Sequence, residues 1–121
     1  MSRVIHFELP IDDPERAIAF YEKALGWKIE KWQGPEDYWL VMTGDKSEPG
    51  IDGGLTRRGT AKATTNTIGV ESIDEATRKI VEAGGRTLGS KETIPGVGYQ
   101  QYCVDTEGNV FGIMQEDMSA R

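Results

Sequence analysis

His6 is the only histidine in the sequence, and Glu8 lies two residues beyond it. Apolar residues alternate along positions 4–9, which predicts a half-buried strand, and side chains two apart on a strand project from the same face. A carboxylate beside an imidazole can orient the ring and favour its charged form, as in many general bases. Two interpretations of this pair are open. It is either a hydrogen-bonding or acid–base group in a ligand site, or an ordinary strand histidine beside a solvated carboxylate.

Aromatic side chains are the second group suited to a ligand site, because their rings are apolar while Tyr and Trp have polar tips. Those in or beside predicted strands are Trp27, Trp32, Tyr38, Trp39, Tyr99 and Tyr102. Alternation alone does not decide whether Tyr38 or Trp39, or Tyr99 or Tyr102, faces a ligand. We take Trp39 and Tyr102, with His6 and Glu8, as the candidate ligand-binding residues. Cys103 is expected to be a small buried residue rather than a nucleophile.

A strand and an amphipathic helix must position the first of these residues. After the strand Val4–Leu9, Asp12 is expected to cap a helix with Pro14 in its first turn and Gly26 at its end. The apolar stripe of this helix consists of Ala17, Ile18, Tyr21, Ala24 and Leu25. The next predicted strands are Lys28–Trp32, Tyr38–Thr43 and Ile51–Arg57.

A shift of 59 residues brings a second copy of this pattern onto the first, so that Ile11 falls on Val70 and Asp13 on Ser72. Ser72 and Glu75 form a capping box before the second helix, which Gly84 and Gly85 end. The strands predicted around this helix are Thr65–Val70, Arg86–Leu88, Tyr99–Val104 and Val110–Gln115, with Thr93–Gly98 as a connecting loop. We predict one domain over 1–121, with a βαβββ module at 1–58, a linker at 59–64 and a second βαβββ module at 65–117.

The composition excludes several classes of partner. A net charge of −6 with scattered basic residues argues against nucleic-acid binding, which depends on neutralising phosphates. No apolar run is long enough for a membrane span or a signal peptide, so no membrane partner is expected. One cysteine cannot form an intrachain disulfide, which fits a reducing compartment. The predicted location is the cytoplasm.

Three segments together resemble one known group of proteins. They are His6-Phe7-Glu8-Leu9-Pro10, the helix from Asp13 to Tyr21 followed by Leu25-Gly26-Trp27, and the closing hairpin Asp105-Thr106-Glu107-Gly108-Asn109-Val110-Phe111. The chain resembles, over nearly its whole length, the vicinal oxygen chelate superfamily of glyoxalases, bleomycin-resistance proteins and extradiol dioxygenases. The resemblance implies an α+β glyoxalase/bleomycin-resistance fold, in which the curved mixed sheets of two βαβββ modules form a cup.

The resemblance also implies where a metal would be bound. In metal-using members, four symmetric strand positions bind one divalent cation, and here these positions are His6, Gly54, Thr65 and Gly112. A catalytic metal normally keeps about three protein ligands, and His6 alone matches. We therefore expect no metal and no cofactor. The two glycines would leave room in the cup instead.

Several functions fit this departure from the family pattern. The expected one is metal-independent binding of a small molecule, as in the bleomycin-resistance branch. The alternative is a lyase, isomerase or dioxygenase-like enzyme with a non-standard site that uses His6 and Glu8. An interaction module with a vestigial cup is a third reading. Since open sheet edges need covering and chains of this kind commonly pair, a homodimer is expected.

Overall fold

The computed structural model describes residues 2–59 and 62–121. Strands and helices follow in the order β-α-β-β-β, and this order occurs twice. The elements are β1 (Arg3–Ile11), α1 (Pro14–Leu25), β2 (Lys28–Lys31), β3 (Tyr38–Met42), β4 (Gly53–Arg57), β5 (Thr65–Gly69), α2 (Ile73–Glu82), β6 (Arg86–Ile94), β7 (Gly98–Val104) and β8 (Val110–Glu116). The predicted α+β class and the repeated βαβββ order are confirmed. Neither helix in the described residues has the length and apolar content that crossing a bilayer requires.

Contacts between residues divide the chain into two compact units. The first unit comprises His6–Thr65, and the second comprises the described residues up to Ile5 together with Asn66–Arg121. The predicted linker, 59–64, includes Thr60 and Ala61, which lie outside the described residues. The module limits and the cup that the sequence implies stay predictions.

In the first unit, β3 pairs antiparallel with β2 and β4, and β4 pairs parallel with β1. One face of these strands packs against α1, and its buried core consists of Ile11, Trp39, Val41 and Leu55. Ala17, Ile18 and Tyr21 from the predicted stripe of α1 pack against this core. Because this face is filled by the core, a ligand site in the first unit would have to use side chains on the other face of the strands.

The cap of α1 differs from the prediction by one residue. Asp13, not Asp12, caps the helix, because its side chain accepts a 3.2 Å hydrogen bond from the backbone N–H of Arg16. Asp12 instead forms an ion pair with Arg58, with 3.0 Å between the carboxylate and guanidinium atoms. The helix begins at Pro14, so the backbone N–H of Arg16 lies in its first turn and has no partner within the helix. Asp13 is the residue three positions before Arg16 and can reach this group. The cap therefore moves one residue later.

In the second unit, β8 pairs parallel with β5 and antiparallel with β7, and β7 pairs antiparallel with β6. The helix α2 begins after Ser72, whose hydroxyl accepts from the backbone N–H of Glu75 at 3.2 Å, as predicted, while the Glu75 carboxylate pairs with Arg78 instead of completing the capping box. The core of this unit is Val70, Ile73, Cys103 and Ile113. Cys103 is fully buried, in line with the sequence, and burial raises the pKa of its thiol.

The strand β6 is longer than predicted and continues to Ile94. Its pairing register with β7 shifts between Leu88 and Glu92, so the alternation that the sequence pattern follows is interrupted there. The amide of Gln101 donates to the carbonyl oxygens of Leu88 and Gly89, at 3.4 and 3.1 Å. This buried glutamine satisfies carbonyl groups at the irregularity. The predicted loop is consequently shorter, and its first residues belong to β6.

Candidate functional site

Strand pairing determines which side chains share the face of the first unit that points away from α1. Glu8 and Leu40 both lie directly opposite Gly54 on neighbouring strands, and directly opposed residues project from the same face. His6 lies two residues before Glu8, and Tyr38 lies two residues before Leu40, so both share this face. We call it the polar face of the first unit.

The central contact on the polar face joins His6 and Tyr38. The imidazole Nε2 and the phenol Oη are 2.6 Å apart and hydrogen-bonded. The two rings are nearly parallel, with an interplanar angle of 19° and centroids 6.3 Å apart. The ring of Trp32 meets that of Tyr38 edge-on at 6.1 Å, and the backbone N–H of Trp32 donates to the Tyr38 carbonyl at 2.8 Å. Tyr38 is therefore held from both sides.

Gly54 leaves the space that the phenol of Tyr38 fills. A Cβ atom built on Gly54 would overlap the phenol ring and its oxygen. Any larger residue at this position would have to displace Tyr38 from His6. Gly54 is thus required by the close approach of the Tyr38 side chain to the backbone.

The environment of His6 favours the neutral imidazole. Burial lowers the pKa of His6 below its ordinary value of 6.5, and the negative charge of Asp52 opposes this shift only in part. The Asp52 carboxylate accepts hydrogen bonds from the backbone N–H and the hydroxyl of Thr43, at 3.0 and 3.4 Å. A neutral imidazole and a phenol together carry two protons on nitrogen and oxygen, and their mutual bond uses one. The site thus brings together a ring nitrogen and a phenol oxygen, two groups that can each take part in hydrogen bonds.

The sequence-predicted residues fall into different places. Glu8 is buried, with 8% of its surface exposed, and lies on the polar face beside Gly54. Trp39 lies on the opposite face, in the core, with the charged groups of Lys31 and Arg57 over its ring at 5.5 and 5.7 Å. Its burial favours a packing role, and a contact of Trp39 with a ligand stays a prediction. Sequence reasoning left Tyr38 open, although it is the aromatic residue that contacts His6.

Tyr102 belongs to a related arrangement in the second unit. Tyr102 and Thr67 both lie directly opposite Gly112, as Leu40 and Glu8 lie opposite Gly54. A Cβ built on Gly112 would make only ordinary contacts, 3.4 Å from the Thr67 hydroxyl and 3.7 Å from the Gln100 amide nitrogen. Cε1 of Tyr102 lies 3.8 Å from such a Cβ, so its ring is next to Gly112 but does not overlap the place of a side chain there, as the Tyr38 phenol does at Gly54.

Thr65 has a polar group in need of a partner. Its side chain is buried, and its hydroxyl has no hydrogen-bond partner within the part of the chain that the structure describes. A buried hydroxyl without a partner costs roughly 1–3 kcal/mol. A bound molecule or water would remove this cost.

Comparison with known proteins identifies the fold. Residues 3–44 match the protein family described as bleomycin resistance protein-like N-terminal. A glyoxalase/bleomycin resistance protein/dioxygenase superfamily member from Vibrio splendidus superposes with a TM-score of 0.65 and 15% identity, over 96% of this chain and 100% of that chain. The family match is confined to residues 3–44, and the structural likeness over nearly the whole chain shows the glyoxalase/bleomycin-resistance type of fold.

Other solved structures with a similar fold are methylmalonyl-CoA epimerases. The enzyme from Streptomyces coelicolor, in complex with 2-nitronate-propionyl-CoA, has a TM-score of 0.69 and 15% identity, over 100% of this chain and 99% of that chain. The enzyme from Mycobacterium tuberculosis has a TM-score of 0.66 and 13% identity, over 93% and 87% of the two chains. No curated protein matches the sequence significantly. At these identities the structural neighbours show the fold alone.

The metal that many vicinal oxygen chelate proteins use does not fit the residues present here. At the position of the first acidic ligand, Gly54 has no donor atom, and the phenol of Tyr38 fills the space of a side chain there. At the position of the last ligand, Gly112 also lacks a donor. Within residues 2–59 and 62–121, no group of three His, Cys, Asp or Glu side chains is arranged to hold a metal ion. His6 is hydrogen-bonded to Tyr38 instead.

Proposed function

We propose that this chain is a metal-independent small-molecule-binding protein of the vicinal oxygen chelate superfamily, and that the His6–Tyr38 pair is the centre of its ligand site. One observation carries the proposal: the Tyr38 phenol fills the space over Gly54 and is hydrogen-bonded to His6, 2.6 Å away. A phenol at this place supplies a hydrogen bond where metal-using relatives supply a carboxylate ligand.

The chemistry of the pair indicates the kind of ligand. An imidazole and a phenol both form hydrogen bonds with oxygen atoms, so the pair suits a ligand with a polar oxygen, such as that of a carbonyl, carboxylate or phenolate group. The ring of Trp32 beside Tyr38 and the side chain of Leu40, 39% exposed on the same face, add apolar surface. The proposed ligand is therefore an organic molecule with an acceptor oxygen on an apolar or aromatic body. Tyr102 and Glu8 are proposed as further contacts.

The structural neighbours are consistent with a ligand of this type. The Streptomyces coelicolor epimerase was solved with 2-nitronate-propionyl-CoA, and another methylmalonyl-CoA epimerase was solved with methylmalonyl-CoA. Both molecules carry acceptor oxygens on a small organic group. For the present chain this supports a ligand class and does not identify a coenzyme A ester.

A ligand screen tests the proposal. Thermal-shift measurements with small carbonyl, carboxylate and phenolic compounds should find molecules that raise the unfolding temperature, because a ligand stabilises the state that binds it. Calorimetry on the hits should show roughly three- to tenfold weaker binding to Tyr38→Phe, the cost of one hydrogen bond. Tyr21→Phe is the matched control, because Tyr21 packs on the core through its ring. Equal affinities for Tyr38→Phe and the native protein would reject the proposal.

The second candidate function is catalysis by His6 and Glu8, as a lyase, isomerase or dioxygenase-like enzyme. The observation that favours it is the buried Glu8 carboxylate, two residues from an imidazole whose pKa is lowered by burial. A neutral imidazole is the form that accepts a proton. Proton NMR in deuterium oxide would detect exchange at carbon next to a carbonyl of a bound hit. Exchange that His6→Gln abolishes would favour the enzyme over the binding protein.

We also propose that the protein acts as a homodimer in the cytoplasm. β2 is hydrogen-bonded only to β3, and β6 only to β7, among the described strands, and such open edges favour association. The single cysteine fits a reducing compartment. Neither proposal depends on the ligand.

A further inference from the structure

The second unit contains a pocket of about 350 Å³ that is open to solvent and involves none of the residues discussed above as ligand contacts. Its wall includes Arg3 and Ile5 from the start of β1, Glu71 from the segment before α2, and Met114 and Glu116 from β8. Backbone hydrogen bonds join the segments that line it. The backbone N–H of Ser2 donates to the Gly69 carbonyl at 3.1 Å, and that of Val70 donates to the Met114 carbonyl at 2.9 Å.

The charged side chains of this wall are of both signs and do not pair with one another. In the described part of the chain, Arg3, Glu71 and Glu116 take part in no ion pair and no side-chain hydrogen bond. By contrast, Arg58 and Arg78 each pair with a nearby carboxylate. One guanidinium and two carboxylates thus border the same pocket at its exposed rim, where a ligand can replace the water around them.

The rest of the cavity wall is apolar. Ile5, Val70 and Met114 supply hydrocarbon and thioether surface. Gly69 lets the Ile5 side chain lie close to the backbone of β5, because a Cβ at this position would be only 3.1 Å from Cδ1 of Ile5. The volume is at the lower end of the range of small-molecule pockets and is sufficient for a compact ligand of about ten heavy atoms.

We propose that this cavity binds a small zwitterion with a branched apolar body, of the α-amino-acid class. The guanidinium of Arg3 presents two N–H groups to the ligand carboxylate, the geometry in which arginine binds carboxylates most strongly. The carboxylates of Glu71 and Glu116 accept from the ligand ammonium. Ile5, Val70 and Met114 contact the apolar body. This site is independent of the function proposed for the His6–Tyr38 pair.

Titration with L-leucine and two analogues tests the proposal. Calorimetry should detect binding of L-leucine, and binding at least about tenfold weaker for 4-methylpentanoate and for 3-methylbutylamine, because each analogue lacks one charged group. Arg3→Gln and the double variant Glu71→Gln/Glu116→Gln should each weaken L-leucine binding by a similar factor. The matched controls, Arg86→Gln and Glu92→Gln, alter exposed residues of β6 outside the cavity and should bind as the native protein does.

Two measurements keep the test decisive. The methyl NMR signals of Ile5 and Met114 in the native protein should shift on addition of L-leucine, whereas that of Ile29, in the first unit, should not. Because this measurement uses the native protein, it does not depend on whether the charge variants fold. Tyr38→Phe should bind L-leucine as the native protein does. Absence of binding, binding unchanged in Arg3→Gln, or binding lost in Tyr38→Phe would each overturn the proposal.

Discussion

The phenol of Tyr38 lies over the α-carbon of Gly54, so that the side chain of one residue occupies the place of the side chain that the other lacks. The same phenol is hydrogen-bonded to His6. Position 54 therefore controls whether Tyr38 can reach His6, although Gly54 itself contributes no functional group.

Gly54→Ala is expected to destabilise the protein by about 1–3 kcal/mol, because the added Cβ overpacks against the Tyr38 ring. The effect has an unusual sign, since replacing glycine within a strand ordinarily stabilises it. Urea unfolding measures the change. In a Tyr38→Ala background, the same Gly54→Ala change should be neutral or stabilising, because the overlapping atoms are gone.

Gly44→Ala is the control for this prediction. In the part of the chain that the structure describes, the nearest atom to a Cβ built there is a carboxylate oxygen of the flexible Glu48 side chain, at 3.9 Å. Its free energy of unfolding should change by less than about 0.5 kcal/mol. Equal losses for Gly54→Ala with and without the Tyr38 ring would show that the phenol is not what makes position 54 intolerant.

The pH dependence of stability should include a contribution from His6. Burial lowers the pKa of folded His6 below 6.5, so between these two values the unfolded chain binds more protons than the folded one. The contribution is fully present above pH 6.5 and is lost as the pH falls towards the folded pKa. Urea unfolding at about pH 7.5 and pH 5.5 should show lower stability at the lower pH, and His6→Gln should reduce the difference.

The pH range in which His6 affects stability is separate from the range in which the carboxylates titrate. Hydrogen bonds lower the pKa values of Asp37, Asp105 and Asp117 below their ordinary 3.8, so their contributions are lost only at more acidic pH. An NMR titration of the His6 ring with a midpoint at or above 6.5 would refute the assignment.

Much of the fold follows from local pattern, and the site does not. The helices were predictable because apolar spacing, capping residues and terminal glycines agree within each segment, as Ser72 and Glu75 illustrate. Tyr38 and Trp39 are adjacent aromatic residues on one strand, and local pattern gives no reason to choose between them. The choice depends on the register of β3 with β4, which places Tyr38 on the Gly54 face and Trp39 opposite buried Leu55.

The resemblance to metal-using proteins was informative mainly through its exceptions. The family positions could be assigned by residue number, which placed two glycines where ligands would be. The filling of one of them by Tyr38 could not be predicted, because Tyr38 lies 16 residues before Gly54 and belongs to another strand. The irregularity in β6 could not be predicted for a similar reason, since the carbonyl groups of Leu88 and Gly89 accept hydrogen bonds from Gln101 on a neighbouring strand.

Protein purified without a histidine tag or chelator is expected to contain far less than one equivalent of zinc, nickel, iron or manganese. The reason is the donor set, since a catalytic site needs about three protein ligands and only His6 matches the family pattern. Elemental analysis of the native protein and of His6→Ala should give equal metal contents. Near-stoichiometric metal that disappears in His6→Ala would restore the metalloenzyme interpretation.

Light scattering is expected to show a homodimer at micromolar concentration. The physical reason is the pair of strands, β2 and β6, that are each hydrogen-bonded on one side within their unit. Adding salt to about 0.5 M should not dissociate a dimer formed through backbone hydrogen bonds, whereas contacts between charged side chains would be screened. A strict monomer at high micromolar concentration would contradict the prediction.

The three tryptophans, Trp27, Trp32 and Trp39, all lie in the first unit, while the single thiol, Cys103, is fully buried in the second. Indole emission therefore reports on one unit, and the rate at which a thiol reagent reacts reports on opening of the other. No label has to be introduced. Comparing the two signals across a denaturant series shows whether the halves of this repeat unfold together or one after the other.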